Sequence, residues 1–235
     1  MPKTFKPGDV ISYTEMCSAV GVSLQRGMNF HLCGTESVIL MSLRKNAPYA
    51  DQVQDEGRTL IYEGHDCAKI TGGPDPKGTD QPANHSGGSP TQNGLFLASV
   101  QKHKAGSAPE RVQVYEKIHS GIWVFNGVFE LVDAWTADSD GRKVFKFKLC
   151  LTPTDSAPHT ASSPQEIDDS DRMIPSRVKL AVWKRDQGKC RMCGTNKGLH
   201  FDHIIPYSKG GSSKQIENIQ ILCSRHNLQK RDKIE

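Results

Sequence analysis

Hydrophobic positions in the first 152 residues come in short runs set between polar turns. V-I-L-M-S (38–42), T-L-I-Y (59–62), L-F-L-A-S-V (95–100), R-V-Q-V-Y (111–115), I-W-V-F (122–125), V-F-E-L-V (128–132) and V-F-K-F-K-L (144–149) are rich in β-branched and aromatic residues. Runs of that kind predict strands. Asn126-Gly127 and Asp140-Gly141 are turn dipeptides. Strands this frequent predict a barrel or a sandwich. A helix is predicted over 14–20, with Thr14 as its N-cap. The stretch 72–90 is rich in Gly, Pro, Ser and Asp and reads as a long loop. Residues 153–175 carry almost no apolar side chain and read as a flexible linker. Beyond them, Val178, Ala181, Val182 and Trp183 alternate with basic residues over 177–185, the pattern of a short amphipathic helix. The pattern divides the chain into a β-rich part (1–152), a linker (153–175) and a small C-terminal part (176–235).

Charge sharpens this division. The net +4 conceals an excess of 13 Lys/Arg over 5 Asp/Glu in residues 176–235, against 16 of each in residues 1–152. A basic surplus confined to one small module suits a surface that sits on phosphates, although a merely solvated basic face has the same composition. No apolar run is long enough to cross a membrane. The N-terminus, M-P-K-T-F-K-P-G-D, lacks the apolar segment of a signal peptide, so a cytoplasmic chain with reduced thiols is expected. Seven cysteines, an odd number, also argue against a disulfide framework. Cys17, Cys33, Cys67 and Cys150 are scattered singly and read as small core residues.

The other three cysteines are spaced for a metal. Cys190 and Cys193 form C-R-M-C, and Cys223 and His226 form C-S-R-H, giving C-x2-C-x29-C-x2-H. Two such pairs close a four-coordinate tetrahedral zinc site with no open position, which makes the ion structural. In a module this small, the metal can replace a core that is too small to hold the fold. The plainer reading is buried free cysteines that happen to pair. Between the pairs lies F-D-H-I-I-P, with the carboxylate of Asp202 beside the imidazole of His203.

G-K-C-R-M-C-G, L-H-F-D-H-I-I-P-Y-S-K-G-G, I-E-N-I-Q-I-L-C and S-R-H-N-L-Q-K together resemble the HNH endonucleases over about residues 176–235. The resemblance implies a ββα-metal fold: a hairpin carrying Asp202 and His203, a loop through Gly210-Gly211, and a helix beginning near Ser224. It implies that His203 is the general base that takes a proton from the attacking water. Asp202 would bind one divalent cation, Mg²⁺ or Mn²⁺. Asn218 would orient the base or pin the loop, and Lys230 would contact phosphate. Many family members place the last ligands differently. The assignment made here gives His226 to zinc and Asn227 to the catalytic cation. The alternative puts His226 on the catalytic metal and leaves zinc a ligand short. His200 and Asp232 have no needed role and read as solvated surface.

The N-terminal part resembles the SRA (SET- and RING-associated) domain, a twisted, barrel-like β fold that binds modified cytosine in DNA. S-L-Q-R-G-M (23–28), V-I-L-M-S through Y-A-D-Q-V-Q-D-E-G-R-T-L-I-Y-E-G (38–64), T-Q-N-G-L-F-L-A-S (91–99) and V-Y-E-K through G-I-W-V-F-N-G-V-F-E-L-V-D-A-W (114–135) stand in the family's order. The resemblance implies that the modified base is flipped into a pocket. Tyr49 and Tyr62 match the stacking tyrosines, and Asp51 matches the carboxylate that reads the cytosine edge. Each has a plainer reading as a surface turn residue, a core residue and a solvated acid, respectively. The interval from Asp51 to Gly57 is two residues longer than the family's usual pattern, Glu63 replaces a Thr, and Phe125-Asn126-Gly127 replaces Tyr-Asp-Gly.

The expectation is an α+β chain with an SRA-like β-barrel and a zinc-stabilised HNH module. It would be a prokaryotic, modification-dependent restriction endonuclease acting on double-stranded DNA that contains 5-methyl- or 5-hydroxymethylcytosine. One such site cuts one strand, so a double-strand break needs a homodimer or two visits, and a flexible linker would disperse the cuts. The rivals are an HNH nuclease of other specificity and a non-catalytic zinc module that only grips DNA.

Overall fold

The computed structural model describes residues 4–24, 27–31, 36–152 and 173–234. Its largest element is an eight-stranded sheet of β1 (Val10–Ser12), β2 (Met28–Asn29), β3 (Ser37–Met41), β4 (Gln52–Gln54), β5 (Thr59–Glu63), β6 (Glu110–His119), β7 (Ile122–Ser139) and β8 (Arg142–Leu151). The hydrogen-bonded order is β2-β3-β6-β7-β8-β5-β4, with β1 also on β7. The β3–β6 pair is parallel and the others are antiparallel. Among the described residues the hydrogen-bonded path runs from β2 to β4. Alternation along the long strands puts Val112 and Val114, Phe129 and Leu131, and Phe147 and Leu149 into one core.

Four expectations need correction. The run 95–100 is not a strand but the centre of helix α2 (Gln92–Lys104). Thr91 Oγ1 caps it by accepting from Gly94 N at 3.2 Å, and Asn93, Phe96 and Val100 recur at helical spacing on its buried face. Asn126-Gly127 is not a turn; both lie inside β7. Val114 pairs with Gly127 and Tyr115 with Phe125, so Asn126 is the extra residue of a β-bulge, and Gly127 supplies the φ of +109°. The first helix, α1 (Tyr13–Val20), is capped by Ser12 rather than Thr14, in a reciprocal capping box with Glu15. Cys17, Cys67 and Cys150 are half-buried rather than core residues, and Cys33 lies outside the described residues. The expected turn at Asp140-Gly141 does join β7 to β8, with φ of +49° and +79°.

The C-terminal part consists of α3 (Ser176–Arg185), β9 (Leu199–His203), β10 (Ile219–Cys223) and α4 (Ser224–Lys230). β9 and β10 form an antiparallel pair in which Asp202 faces Gln220 and His203 faces Ile219. Their apolar face shares one cluster with α3 and with the large sheet: Phe201, Ile221 and Leu222 pack with Val178 and Val182 and with Ile118 and Val124. Residues 153–172 of the expected linker lie outside the described residues, and Ile174, near its end, is already buried. Among the described residues, no helix is long and apolar enough to cross a membrane.

Candidate active site and base-reading face

Strand β10 delivers Cys223 to its end and α4 begins at once, so His226 falls on the first helical turn beside it. Cys190 and Cys193 lie in a tight turn after α3, closed by Gly194 N donating to Cys190 O at 2.8 Å. The four ligand atoms lie within 4.8 Å of one another. His226 Nδ1 is 3.4 Å from Cys190 Sγ and 3.3 Å from Cys223 Sγ, and the Cys193 and Cys223 sulfurs are 3.9 Å apart. Tetrahedral ligands at metal–sulfur distances of about 2.3 Å lie about 3.8 Å apart, so the spacing fits such an ion. Burial pushes the Cys190 thiol up. Hydrogen bonds from the backbone at Cys223, Cys193 and Met192 and from His226 outweigh it and hold the thiol at about 6. A thiol poised to ionise is a ready metal ligand.

The hairpin presents Asp202 and His203 together. His203 Nε2 meets Ser213 Oγ at 2.8 Å, and its ring packs edge-on to Tyr207. Asn218 holds the intervening loop: its Oδ1 accepts from Ile205 N at 2.8 Å, and its Nδ2 donates to Ile205 O and Ser212 O, each at 3.1 Å. Gly211 lies under that loop, where a Cβ would come within 1.8 Å of Ile205 O. Asp202 Oδ2 is 3.1 Å from Lys230 Nζ and 3.3 Å from Gln220 Nε2. Lys230 is fully buried and also donates to His203 O at 2.6 Å, so its ammonium faces inward rather than toward a phosphate at the surface. Asn227 sits half-buried on α4, one turn before Lys230. A carboxylate and an amide oxygen are hard donors that suit a divalent cation. His200 is not solvated surface: it bridges Asp9 Oδ1 at 2.6 Å and Ser224 Oγ at 2.8 Å.

The second group of residues gathers beside β5. The Asp51 carboxylate is enclosed, with Oδ2 accepting from Ser42 N and Oδ1 from Glu63 N, each at 3.1 Å. Burial drives its pKa from 3.8 to about 7, only partly offset by those two bonds. Tyr62 is 1% exposed and belongs to the main core. Its hydroxyl meets His65 Nε2 at 3.0 Å, and the His65 ring stacks on Tyr49 at 5.3 Å with an interplanar angle of 12°. Asn93 holds the His65 backbone at both its N–H and its carbonyl. Lys77, from the long loop, lies 4.1 Å from the centre of the Tyr49 ring. Glu63, the departure from the SRA pattern, is a brace: Oε2 accepts from Ala50 N at 3.2 Å and pairs with Lys146 Nζ at 2.9 Å. It thereby fixes the residue between Tyr49 and Asp51.

Residues 190–233 match the family model of the HNH endonucleases. The C-terminal part is an HNH endonuclease domain. No curated protein sequence matches the chain. Among solved structures, similarity is found to the SRA domain of SUVH5 in a hemi-methylated CG DNA complex, at 24% identity over 69% of this chain and 97% of that one, with a TM-score of 0.45. The SUVH5 SRA domain bound to fully hydroxymethylated CG DNA gives the same identity, coverage and score. The modification-dependent restriction endonuclease TagI is similar at 18% identity over 97% of this chain and 78% of that one, with a TM-score of 0.40.

Within the HNH domain, sequence reasoning picked the ligand cluster and the hairpin pair but missed Ser213, Gln220 and the inward turn of Lys230. Ser213 carries a signal only in hindsight, as a small polar residue after Gly210-Gly211. On the other face it missed His65, three residues past Tyr62, which brings Tyr49 and Tyr62 to a common partner.

Proposed function

We propose that the chain hydrolyses a phosphodiester of double-stranded DNA near a modified cytosine, which residues 1–152 read and the HNH domain at 176–235 cuts. The convergence of Tyr49, Asp51 and Tyr62, 13 residues apart at most, around a site closed by His65 carries the reading half. Two tyrosines and an enclosed carboxyl are what a flipped cytosine needs: aromatic faces, and a partner for its amino group. A neutral carboxyl also offers a hydroxyl proton to the ring nitrogen beside that amino group, and a carboxyl titrating at about 7 supplies this form. His65 holds the stacking place against Tyr49 and has to leave it when a base enters.

In the cutting half, His203 accepts the proton of the attacking water, with the Ser213 hydroxyl fixing its ring. Asn218 keeps the loop shut over the hairpin. Lys230 is a positioning residue that holds Asp202 and the His203 carbonyl. Cys190, Cys193, Cys223 and His226 would hold a structural zinc. Asp202 and Asn227 would hold Mg²⁺ or Mn²⁺, which supplies charge neutralisation at the phosphate when bound. A double-strand break takes two protomers or two visits.

The test uses the His203→Ala chain, in which cutting should be too slow to disturb a binding measurement, and two duplexes that differ only in one cytosine. Tighter binding to the duplex with 5-methyl- or 5-hydroxymethylcytosine is expected, and Asp51→Ala in the same background should erase the difference. Equal affinity for modified and unmodified duplexes would leave an HNH nuclease of another specificity.

A further inference from the structure

Helix α3 is fastened at both ends. On one side, Lys179 projects into the large sheet, where its Nζ lies 2.5 Å from Glu116 Oε2 and donates to Asn126 Oδ1 at 2.8 Å. Asn126 Nδ2 in turn donates to Glu116 Oε2 at 3.2 Å. The Lys179 and Glu116 side chains are 4% and 1% exposed, and Glu116 Oε1 is buried with no hydrogen bond among the described residues. Glu116 therefore depends on Lys179 and on Asn126, the residue added by the β-bulge. At its other end, α3 grips the cutting hairpin. Arg185 donates to Ile216 O at 2.8 Å and to Ile219 O at 2.6 Å, and Asp186 accepts from Ile221 N at 3.0 Å.

Three further contacts bypass the helix. Phe201 N, beside Asp202, donates to Gly8 O at 3.1 Å, and His200 pairs with Asp9 at 2.6 Å. Lys214, next to the Ser213 that holds His203, reaches Glu56 at 2.5 Å, five residues after Asp51. The chain entering α3 is also seated: Gly57, at φ +110°, lies where a Cβ would be 2.4 Å from Met173 Sδ. An exposed pair such as Lys214 and Glu56 contributes little by itself. The buried pair does more, because any other register of α3 on the sheet would leave two charges enclosed and unpaired. The apolar cluster that runs from Ile118 and Val124 through Val178 and Val182 to Phe201 and Ile221 joins the parts without a break.

We infer that α3 is a rigid strut and that the chain cuts at one fixed offset from the base it reads, with Lys179, Glu116 and Asn126 setting that offset. This rests on the reading proposed above. It replaces the expectation of dispersed cuts, because the length of the segment 153–172 has no part in setting the reach. The two parts act on DNA as one body, and the distance from the base site to His203 is built into the fold.

The experiment maps nicks at nucleotide resolution on a duplex with one modified cytosine. It compares the natural chain with one carrying a Gly-Ser insertion of about ten residues between Ser163 and Pro164. The strut predicts cuts confined to one bond or two adjacent bonds per strand, with the same position and width after the insertion. Cuts scattered over about a helical turn, or a spread that widens with the insertion, would overturn it. Lys179→Glu should broaden the distribution several-fold, whereas Lys179→Arg, which keeps the buried charge pair with Glu116, should keep it narrow. Solution scattering gives a readout that does not depend on modification. A docked chain has a radius of gyration of about 17–18 Å, which the insertion should leave nearly unchanged, and a clear increase would count against the strut. Cutting that ignores modification while the scattering stays compact would instead remove the proposed reading half and leave the strut standing.

Discussion

At the scale of single residues, the proposed chemistry rests on His203 and Asp51. His203→Ala should lower the nicking rate by about 10²–10⁴-fold, the usual share of a positioned acid–base group. Metal content and DNA binding should remain, and a rate within tenfold of the natural chain would remove His203 as the base. Asp51 makes a prediction in pH. Its native pKa of about 7 lies above the ordinary 3.8, so the folded chain holds a proton that the unfolded chain releases across that window. Its contribution to stability is therefore fully present below about 4 and declines as pH rises toward 7, the reverse of a salt-bridged aspartate. Discrimination between modified and unmodified duplexes should likewise be greatest below about 7 and weaken above it, and Asp51→Asn should flatten that profile. A profile unchanged by Asp51→Asn would show that this carboxyl does not read the base. Tyr49 is the better probe of stacking than Tyr62. It is half-buried, whereas Tyr62 is part of the core, so Tyr62→Ala would mix binding with folding. Tyr49→Ala should weaken binding to modified DNA by about 1–3 kcal/mol, measured by titration with the His203→Ala chain.

At the scale of elements, folding of the proposed cutter should depend on the ligand cluster and the pinned loop. His226→Ala should release the structural ion and loosen α4, read by metal analysis and helix content. A chain that keeps the full metal complement but loses activity would put His226 on the catalytic cation instead. Brief chelation should stop nicking reversibly while the four-ligand ion stays bound. Gly211→Ala should cost about 1–3 kcal/mol of stability by forcing the loop off Asn218, measured by denaturant unfolding. The hairpin, α4 and the ligand cluster were legible because a metal site needs fixed residue types at fixed spacing. The strands of the large sheet were legible for a similar reason, since β-branched and aromatic runs have few other uses. Residues 95–100 were misread because L-F-L-A-S-V fits both periods when short, and the arbiter was the Thr91 cap outside the run. Asn126-Gly127 was misread because a positive φ serves a bulge as well as a turn. Lys179, Ser213 and His65 act through partners distant in the fold, which no local pattern announces.

At the scale of the whole molecule, the proposed function divides the work by charge and by burial. The basic surplus lies in the HNH part, so the salt-sensitive attraction to DNA should belong there. The neutral β-rich part should contribute selectivity. Raising salt should weaken binding to modified and unmodified duplexes alike and leave their ratio nearly constant. The central claim is that cutting depends on a modified cytosine. It is tested most directly by incubating the full chain and Mg²⁺ with two otherwise identical duplexes, one carrying 5-methyl- or 5-hydroxymethylcytosine. Nicks in the modified duplex alone, absent with His203→Ala, are the predicted result. Equal cutting of both duplexes would contradict it.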